Sequence, residues 1–566
     1  MRFTKNDLWG FFLQIIAAMT LFVYSTPALA YNHANAKIKY REYSQQAFDE
    51  ARQTNKPLVA VFSAAWCYWC KVYDKKVLGK QEVANFINKH FIPVFVDLDQ
   101  RQDLQHLYAN KGIPTTVVFT AKGEEFLSFS GTLSKKAFLS GLHQVLEQIG
   151  RGGRPHKNES LPSSRDVREF LADAGQPSEG WDRLADQQRE AFIEYIQEVY
   201  DRSSKGFGLG KKYPLGNVQT YLLGIANNGK SKDAKGIRQI VAGNLVKISE
   251  SLFDPVEGGF FRYSDRRTWE RPRVEKMLLT NVELAQTFQM ASQEGVLPHT
   301  KESQTYLQIP QKTLEYLLTN LYSSEAGAFF GSQDGKNPKY YRLNAAERKK
   351  ITKPHVDQTF YTSGNGEALY ILNQMNNVKP MPGVRKKLEQ TLSLIRTKLY
   401  SPKRGFSSYF KPQNDQRGGE GMLQDNSWGM MALATGLEMT GDKRLIEDLN
   451  TAMKFNRTKL FISERGVFRL WNIPPAKGLR KGEEISQEVP LEANAVMALA
   501  LLKAYRLTGR EEYRVMAGGI LSAFRKLEPQ MFEDDPKDVG QQFLRSYVFY
   551  LDALDQYAQL RVKPKA

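Results

Sequence analysis

The chain has only two cysteines in 566 residues, which excludes a disulfide framework and a four-thiolate zinc site. Histidine is scarce too: seven residues lie scattered along the chain, so neither a bound metal nor a cofactor is expected. Acidic side chains number 61 against 79 basic ones, a formal net charge of +18. That balance favours polyanionic surroundings such as a membrane surface or cell-wall polymer, and otherwise serves solubility. Beyond the first thirty residues no apolar run approaches the roughly 20 residues that a membrane-spanning helix needs. With 41% apolar and 25% charged residues and a mean hydropathy of −0.48, disorder and a multi-span membrane protein are both excluded, and roughly two to four globular domains are expected.

Residues 1–30 do carry a short apolar stretch, from Phe11 to Tyr24, behind Arg2 and Lys5 and ahead of Ala28-Leu29-Ala30. This is the pattern of a cleaved signal peptide, the alternative being an uncleaved anchor. A periplasmic or secreted location is expected, with no integral span after cleavage. The two thiols would then lie outside the reducing cytosol.

Residues 31–149 form the first expected domain. Leu58 to Ala64 is a nearly continuous apolar run, suited to a buried parallel strand, and it leads into Trp66-Cys67-Tyr68-Trp69-Cys70-Lys71 at the start of a helix. Helices at 81–90, 103–110 and 134–149 and strands at 91–98, 116–120 and 126–130 follow, with Gly112-Ile113-Pro114-Thr115 before the third strand. Two cysteines separated by two residues at a helix start let the second thiol reach the first while the first faces solvent. The helix N-terminus there favours thiolate, so Cys67 is the expected nucleophile and Cys70 the resolving thiol. A four-residue loop would make a poor structural staple. Lys71 where a haem-attachment motif needs His removes that alternative.

The order βαβαββα, the tryptophan before CxxC and the Gly-Ile-Pro-Thr segment resemble the thioredoxin fold. The resemblance implies a cis Ile113–Pro114 bond facing the cysteines and gives Trp66, Tyr68, Trp69, Ile113 and Pro114 supporting roles at the redox site. It also marks a departure, since Val61 stands where many thioredoxins keep a buried Asp, and the proton acceptor for the resolving thiol is missing. Reductase, oxidase and isomerase directions all stay open.

Residues 150–180, rich in Gly, Pro and Ser, read as a linker. Residues 181–566 are helical in period and repetitive. A Gly-aromatic element recurs at Gly206-Phe207, Gly259-Phe260, Gly327-Ala328-Phe329, Gly405-Phe406 and Gly466-Val467-Phe468, and an asparagine follows each in frame at Asn217, Asn281, Asn365, Asn426 and Asn494. With a last helix at 546–557, six helical hairpins are expected, closing into an (α/α)6 toroid with apolar inner helices. The asparagines are expected to cap the inner helices by accepting first-turn N–H groups, the alternative being a lining for the mouth. Gly224 to Ser231 fits a P-loop pattern, but it ends a helix and follows no strand, so neither a nucleotide nor a nucleic-acid partner is expected.

The stretch Gly258 to Ser264, then Trp269 and Val274 to Leu278, with Pro354, Asp357 and Thr362 to Gly366, resembles the family of thioredoxin-domain proteins that includes spermatogenesis-associated protein 20. That resemblance implies a thioredoxin-like domain joined to a six-hairpin glycosidase-like toroid, an α/β domain followed by an all-α one. The family's usual histidines near the cysteines are replaced here by Tyr68 and Lys71, and its Pro-His by Pro272-Arg273.

The functional expectation is an exported thiol-disulfide oxidoreductase acting on protein thiols or disulfides, whose toroid binds a partner or substrate. The alternatives are a carbohydrate-active enzyme, glycosidase or sugar isomerase-like, and a noncatalytic scaffold. Glu275, Asp357, Glu367, Asp425 and Glu492 are its candidate carboxylates, with Trp269, Trp428 and Trp471 as sugar platforms. Inner-helix starts share one mouth, where Arg262, Tyr263, Trp269, Glu275, Lys276, Asp357 and Asn365 are expected to gather around a glycan or acidic ligand.

Overall fold

The computed structural model describes residues 37–152 apart from 102–103, 106–107 and 110–111, then 180–297, 303–470, 489–527, 529 and 541–561. The proposed signal peptide, most of the linker and Trp471 lie outside the described residues.

Five strands form the N-terminal sheet: β1 (Arg41–Glu42), β2 (Leu58–Ser63), β3 (Ile92–Asp97), β4 (Thr115–Phe119) and β5 (Glu125–Ser130), in the order β1-β3-β2-β4-β5. β3 runs parallel to β1 and β2, whereas β4 is antiparallel to both β2 and β5. The period-two alternation of β2 divides its side chains between two cores. Val59 and Val61 pack with Tyr73, Ile87, Phe138 and Leu142 on one side, while Leu58, Ala60 and Phe62 pack with Phe48, Val94 and Tyr108 on the other. β1 and the helix Gln45–Thr54 precede the region where the sequence signal began. That helix is capped by the Ser44 hydroxyl, which accepts from Ala47 N–H, and closed by left-handed Asn55.

The C-terminal region alternates outer and inner helices. The outer set is Trp181–Val199, Ala234–Ser251, Ser303–Tyr316, Val384–Leu394, Arg444–Lys459 and Glu511–Ala523, and the inner set is Gly216–Asn227, Leu278–Gln293, Thr362–Val378, Leu423–Thr440, Leu491–Thr508 and Gln541–Arg561. Each inner helix packs on the next, and Gln541–Arg561 returns to Gly216–Asn227, closing the ring. Small residues permit the close approaches: a Cβ on Gly366 would fall 2.6 Å from the Trp428 carbonyl oxygen on the neighbouring inner helix. Gly224 lies inside the helix Gly216–Asn227, as the P-loop exclusion required.

The repeated asparagines do not cap their own helices. Asn281, Asn365, Asn426 and Asn494 lie four residues beyond the N-cap residues Met277, Tyr361, Met422 and Pro490. Each instead holds the preceding Gly-aromatic turn. The Asn365 carboxamide accepts from Phe329 N–H at 2.8 Å and donates to Phe329 O at 2.9 Å and Tyr361 O at 3.0 Å. Asn494 repeats this on Phe468 and Pro490, Asn281 on Phe260 and Met277, and Asn426 on Phe406 N–H and Met422 O. An asparagine suits this place because one carboxamide carries both a donor and an acceptor for a turn buried from water. Asn217 departs from the set: among the described residues its carboxamide donates to Arg545 O, at 3.4 Å.

Candidate redox site at the domain interface

Cys67 and Cys70 form a disulfide. Cys67 is the N-cap of the helix Tyr68–Tyr73, which continues as a wider turn through Leu78, and its sulfur accepts from Cys70 N–H at 3.1 Å. The Ile113–Pro114 bond is cis, and the Ile113 carbonyl oxygen lies 3.9 Å from Cys67 Sγ. One expectation is corrected here. Cys67 does not face solvent: it is 4% exposed and Cys70 2%, in a small apolar cluster with Ala64, flanked by Trp66 and Ile113.

The toroid borders this face. Arg262 stacks 4.0 Å over the Trp66 ring and 5.5 Å from Tyr263, and pairs with Glu275 at 3.6 Å. Arg273 lies 5.8 Å from the ring of Trp69, which meets Tyr68 edge-on. Lys71 Nζ bonds Asp334 Oδ2 at 3.0 Å, joining residues 263 positions apart in sequence. Burial pushes the Lys71 ammonium down to about 8 against the pull of Asp334, and pushes the nearby Asp74 carboxyl up to about 7.

Between the domains lies a cavity of about 130 Å³, lined by Trp66 and Asp99 from one side and by Leu278, Ser332, Asp357 and Tyr361, among others, from the other. Trp66 Nε1 donates to Asp99 Oδ1 at 3.0 Å, and the Tyr361 hydroxyl donates to Asp357 Oδ2 at 2.8 Å. Asp97, Asp99 and Asp357 are all raised. Burial is the leading cause for each, followed for Asp97 by the Asp357 charge and for Asp99 by the charges of Asp97 and Asp357.

The seven expected mouth residues divide by role. Arg262 stacks on Trp66 of the thioredoxin-like domain with Glu275 as its ion-pair partner, and Asp357 lines the cavity. Tyr263 stacks on Tyr213. Trp269 is buried, its indole N–H bonded to the carbonyls of Ser204 and Lys205. Lys276 is buried on Asp254 at 2.8 Å and over the Tyr316 ring, and Asn365 holds its turn. Nearer the ring axis, Arg545 donates two 2.6 Å bonds to Glu367 and also binds Glu492 and Glu283. The sequence reading missed Arg545, Asp99 and Asp334, whose partners lie in distant segments and leave no local signature. Among the described residues no group of three or more His, Cys, Asp or Glu could hold a metal ion, and no helix is long and apolar enough to cross a membrane.

Comparisons with known proteins agree with this architecture. Residues 21–172 match the family Thioredox_DsbH, described as a protein of unknown function, DUF255. The cellobiose 2-epimerase of Spirochaeta thermophila superposes with a TM-score of 0.50 at 13% identity, covering 71% of this chain and all of that one, a likeness of fold alone. The class is therefore a thioredoxin-like domain followed by a helical toroid of the six-hairpin glycosidase-like kind. Within it, the chain is similar to spermatogenesis-associated protein 20 of Rattus norvegicus, 25% identical over 399 residues, 65% of this chain and 49% of that protein. It is also similar to the thiol:disulfide interchange protein DsbD of Vibrio vulnificus strain YJ016, 30% identical over 149 residues, 23% of this chain and 25% of that one. The chain spans about half the length of the curated relatives it matches first.

Proposed function

We propose that this protein is exported and exchanges disulfides with protein thiols through Cys67 and Cys70. In the reducing direction the Cys67 thiolate attacks a client disulfide, forming a mixed disulfide and expelling one client thiolate. The Cys70 thiolate then attacks Cys67 Sγ, releasing the second client thiolate and leaving the intramolecular disulfide, so two electrons pass to the client. The reverse sequence oxidises a client dithiol. The observation that carries this reading is the Cys67–Cys70 pair at a helix N-terminus opposite a cis-proline loop. Similarity to a thiol:disulfide interchange protein supports it, and the pattern of residues 1–30 supports export.

The toroid, with Arg262, Glu275 and Asp357 beside Trp66, is read as the element that selects the client. As a sugar-active site it is compromised, because Glu367 and Glu492 are both engaged by Arg545. The test is trapping in the native export compartment. Cys70→Ser should accumulate mixed disulfides through Cys67, and the purified chain should begin at Tyr31. Mixed disulfides absent from Cys70→Ser would sink the exchange reading, and an intact N-terminus would sink cleavage.

A further inference from the structure

One strand pair of the toroid meets the CxxC motif at two tryptophans. Its strands, Tyr263–Ser264 and Pro272–Arg273, run antiparallel with Tyr263 opposite Arg273, and Arg262 N–H donates to Arg273 O at 3.0 Å. This register brings Arg262 and Arg273 together at the base of the hairpin. Arg262 covers Trp66, just before Cys67, and Arg273 lies 5.8 Å from the ring of Trp69, between the cysteines. The tip is fastened to the first turn of the ring, by Arg267 on Asp201 and by the buried Trp269 indole on Ser204 and Lys205. The arginines are therefore presented on a preformed element, which lowers the ordering cost of binding.

The hairpin carries more positive charge than its surroundings neutralise. Between residues 262 and 273 five arginines stand against two acids, Asp265 and Glu270. Asp265 is shared by Arg273 at 2.6 Å and Arg271 at 3.5 Å, and Asp201 by Arg267 and Lys212. Arg266 and Arg271 are exposed, and the buried Arg273 Nε has no hydrogen-bond partner. Beside these cations Trp69 is 43% exposed, whereas both cysteines are buried and Trp66 and Tyr68 are half-buried. Trp69 is thus the part of the motif that an approaching chain meets first.

We infer that this hairpin selects clients by charge: it receives an acidic segment, with Asp or Glu close to the reacting cysteine, against Trp69, Arg273 and Arg271. The inference rests on the exchange reading above and names the substrate class of that site. Guanidinium forks bind carboxylates through paired N–H bonds. Cations clustered beside a site also raise the encounter rate of oppositely charged partners, by about ten- to a thousandfold at low salt. Arg262 stands outside this set, since Glu275 already pairs with it at 3.6 Å. The occupant is the client chain and not a separate polyanion, because the cations begin at the motif that the client's sulfur must reach.

The experiment uses the reduced full chain carrying Cys70→Ser, so that exchange stops at the mixed disulfide. The probes are three peptides, each with one cysteine flanked by Glu, Gln or Lys and blocked as its 2-thiopyridyl disulfide. The Cys67 thiolate attacks the peptide sulfur, the blocking S–S bond breaks and pyridine-2-thione leaves, so its absorbance gives the rate. Dividing by the rate of the same peptide with 2-mercaptoethanol removes the peptide's own electrostatics. At low salt the Glu peptide should react about tenfold faster than the Lys peptide, with Gln between. Near about 0.5 M salt, where charges are screened, the ratio should shrink toward about twofold. Adding Arg271→Gln and Arg273→Gln should lower the low-salt ratio to about twofold. Lys454→Gln, which removes an exposed cation from the outer helix Arg444–Lys459, should keep most of it. Equal rates for the Glu and Lys peptides, a ratio retained without the two arginines, or an equal loss on Lys454→Gln overturns the inference. If the Arg273 variant does not fold, Arg271→Gln, at a side chain 55% exposed, decides alone: it should cut the ratio to about half, and an unchanged ratio overturns the inference. Failure of all three peptides to react would instead remove the exchange reading.

Discussion

Arg262 of the toroid lies 4.0 Å over the ring of Trp66, the residue immediately before the first cysteine. The contact is shielded by Glu275 and by the Asp99 carboxylate, which accepts the same indole's N–H. A cation held over an aromatic face in such a setting contributes about 1 kcal/mol.

Replacing Arg262 with Ala should therefore favour separation of the two domains by about fivefold in population. In the reduced protein the Cys67 alkylation rate should rise by a similar factor, because the closed arrangement leaves Cys67 only 4% exposed. An unchanged rate would mean that the toroid does not limit access to the thiol.

The asparagine staples make a sharper prediction. Ala at 494 would leave Phe468 N–H, Phe468 O and Pro490 O without the carboxamide that joins them. With each buried unsatisfied group costing about 1–3 kcal/mol and some relaxation allowed, a loss of about 2–4 kcal/mol is expected by denaturant unfolding. Asn217→Ala, which gives up one 3.4 Å contact, should cost under about 1 kcal/mol.

Those asparagines also show what a sequence can disclose. The frame from Gly-aromatic turn to asparagine to inner helix repeats with local spacing, so six hairpins could be read from it. Four carboxamides proved to hold turns in place of capping helices, because the turn that receives them is adjacent only in space. In the first domain the apolar run of β2 and the CxxC motif are local and were legible, whereas β1, at two residues, is too short for alternation to register. Ser44, an ordinary N-cap before the helix Gln45–Thr54, was the signal available there. Lys71 with Asp334, Trp66 with Arg262 and Arg545 with Glu367 bridge separations that no period connects.

The interdomain carboxyls should make stability depend on pH. Asp97 is raised to about 7 by burial and the Asp357 charge, and Asp99 well above its usual range by burial and the charges of Asp97 and Asp357, with Lys411 and Arg262 as the opposing cations. An unfolded aspartate titrates near about 3.9, so the folded chain binds more protons between about 4 and 7. Their contribution to stability is fully present below that window and is lost as pH rises through the folded values. Asp99→Asn keeps an oxygen for the Trp66 N–H and removes one repelling charge. Its melting temperature relative to wild type should be higher at pH 7.5 than at pH 5, and the reverse order would refute the assignment.

Near the ring axis, one guanidinium serves three glutamates from three inner helices. Arg545 binds Glu367 through two bonds, Glu492 at 3.3 Å and Glu283. Burial lowers Arg545 to about 10, still charged at neutral pH, and raises Glu492 to about 7 and Glu367 well above the carboxylate range. Removing the cation leaves buried carboxyls facing one another, and breaking a buried pair in this way costs about 3–5 kcal/mol. Arg545→Met should show that loss at pH 8. At pH 5 the glutamates hold their protons and the loss should shrink, since groups raised in the folded state stabilise it as pH falls. Arg545→Lys should lie between the two, keeping the charge without the two-pronged bond to Glu367. A loss of equal size at both pH values would mean that Arg545 acts through packing against Phe549 and not through its charge.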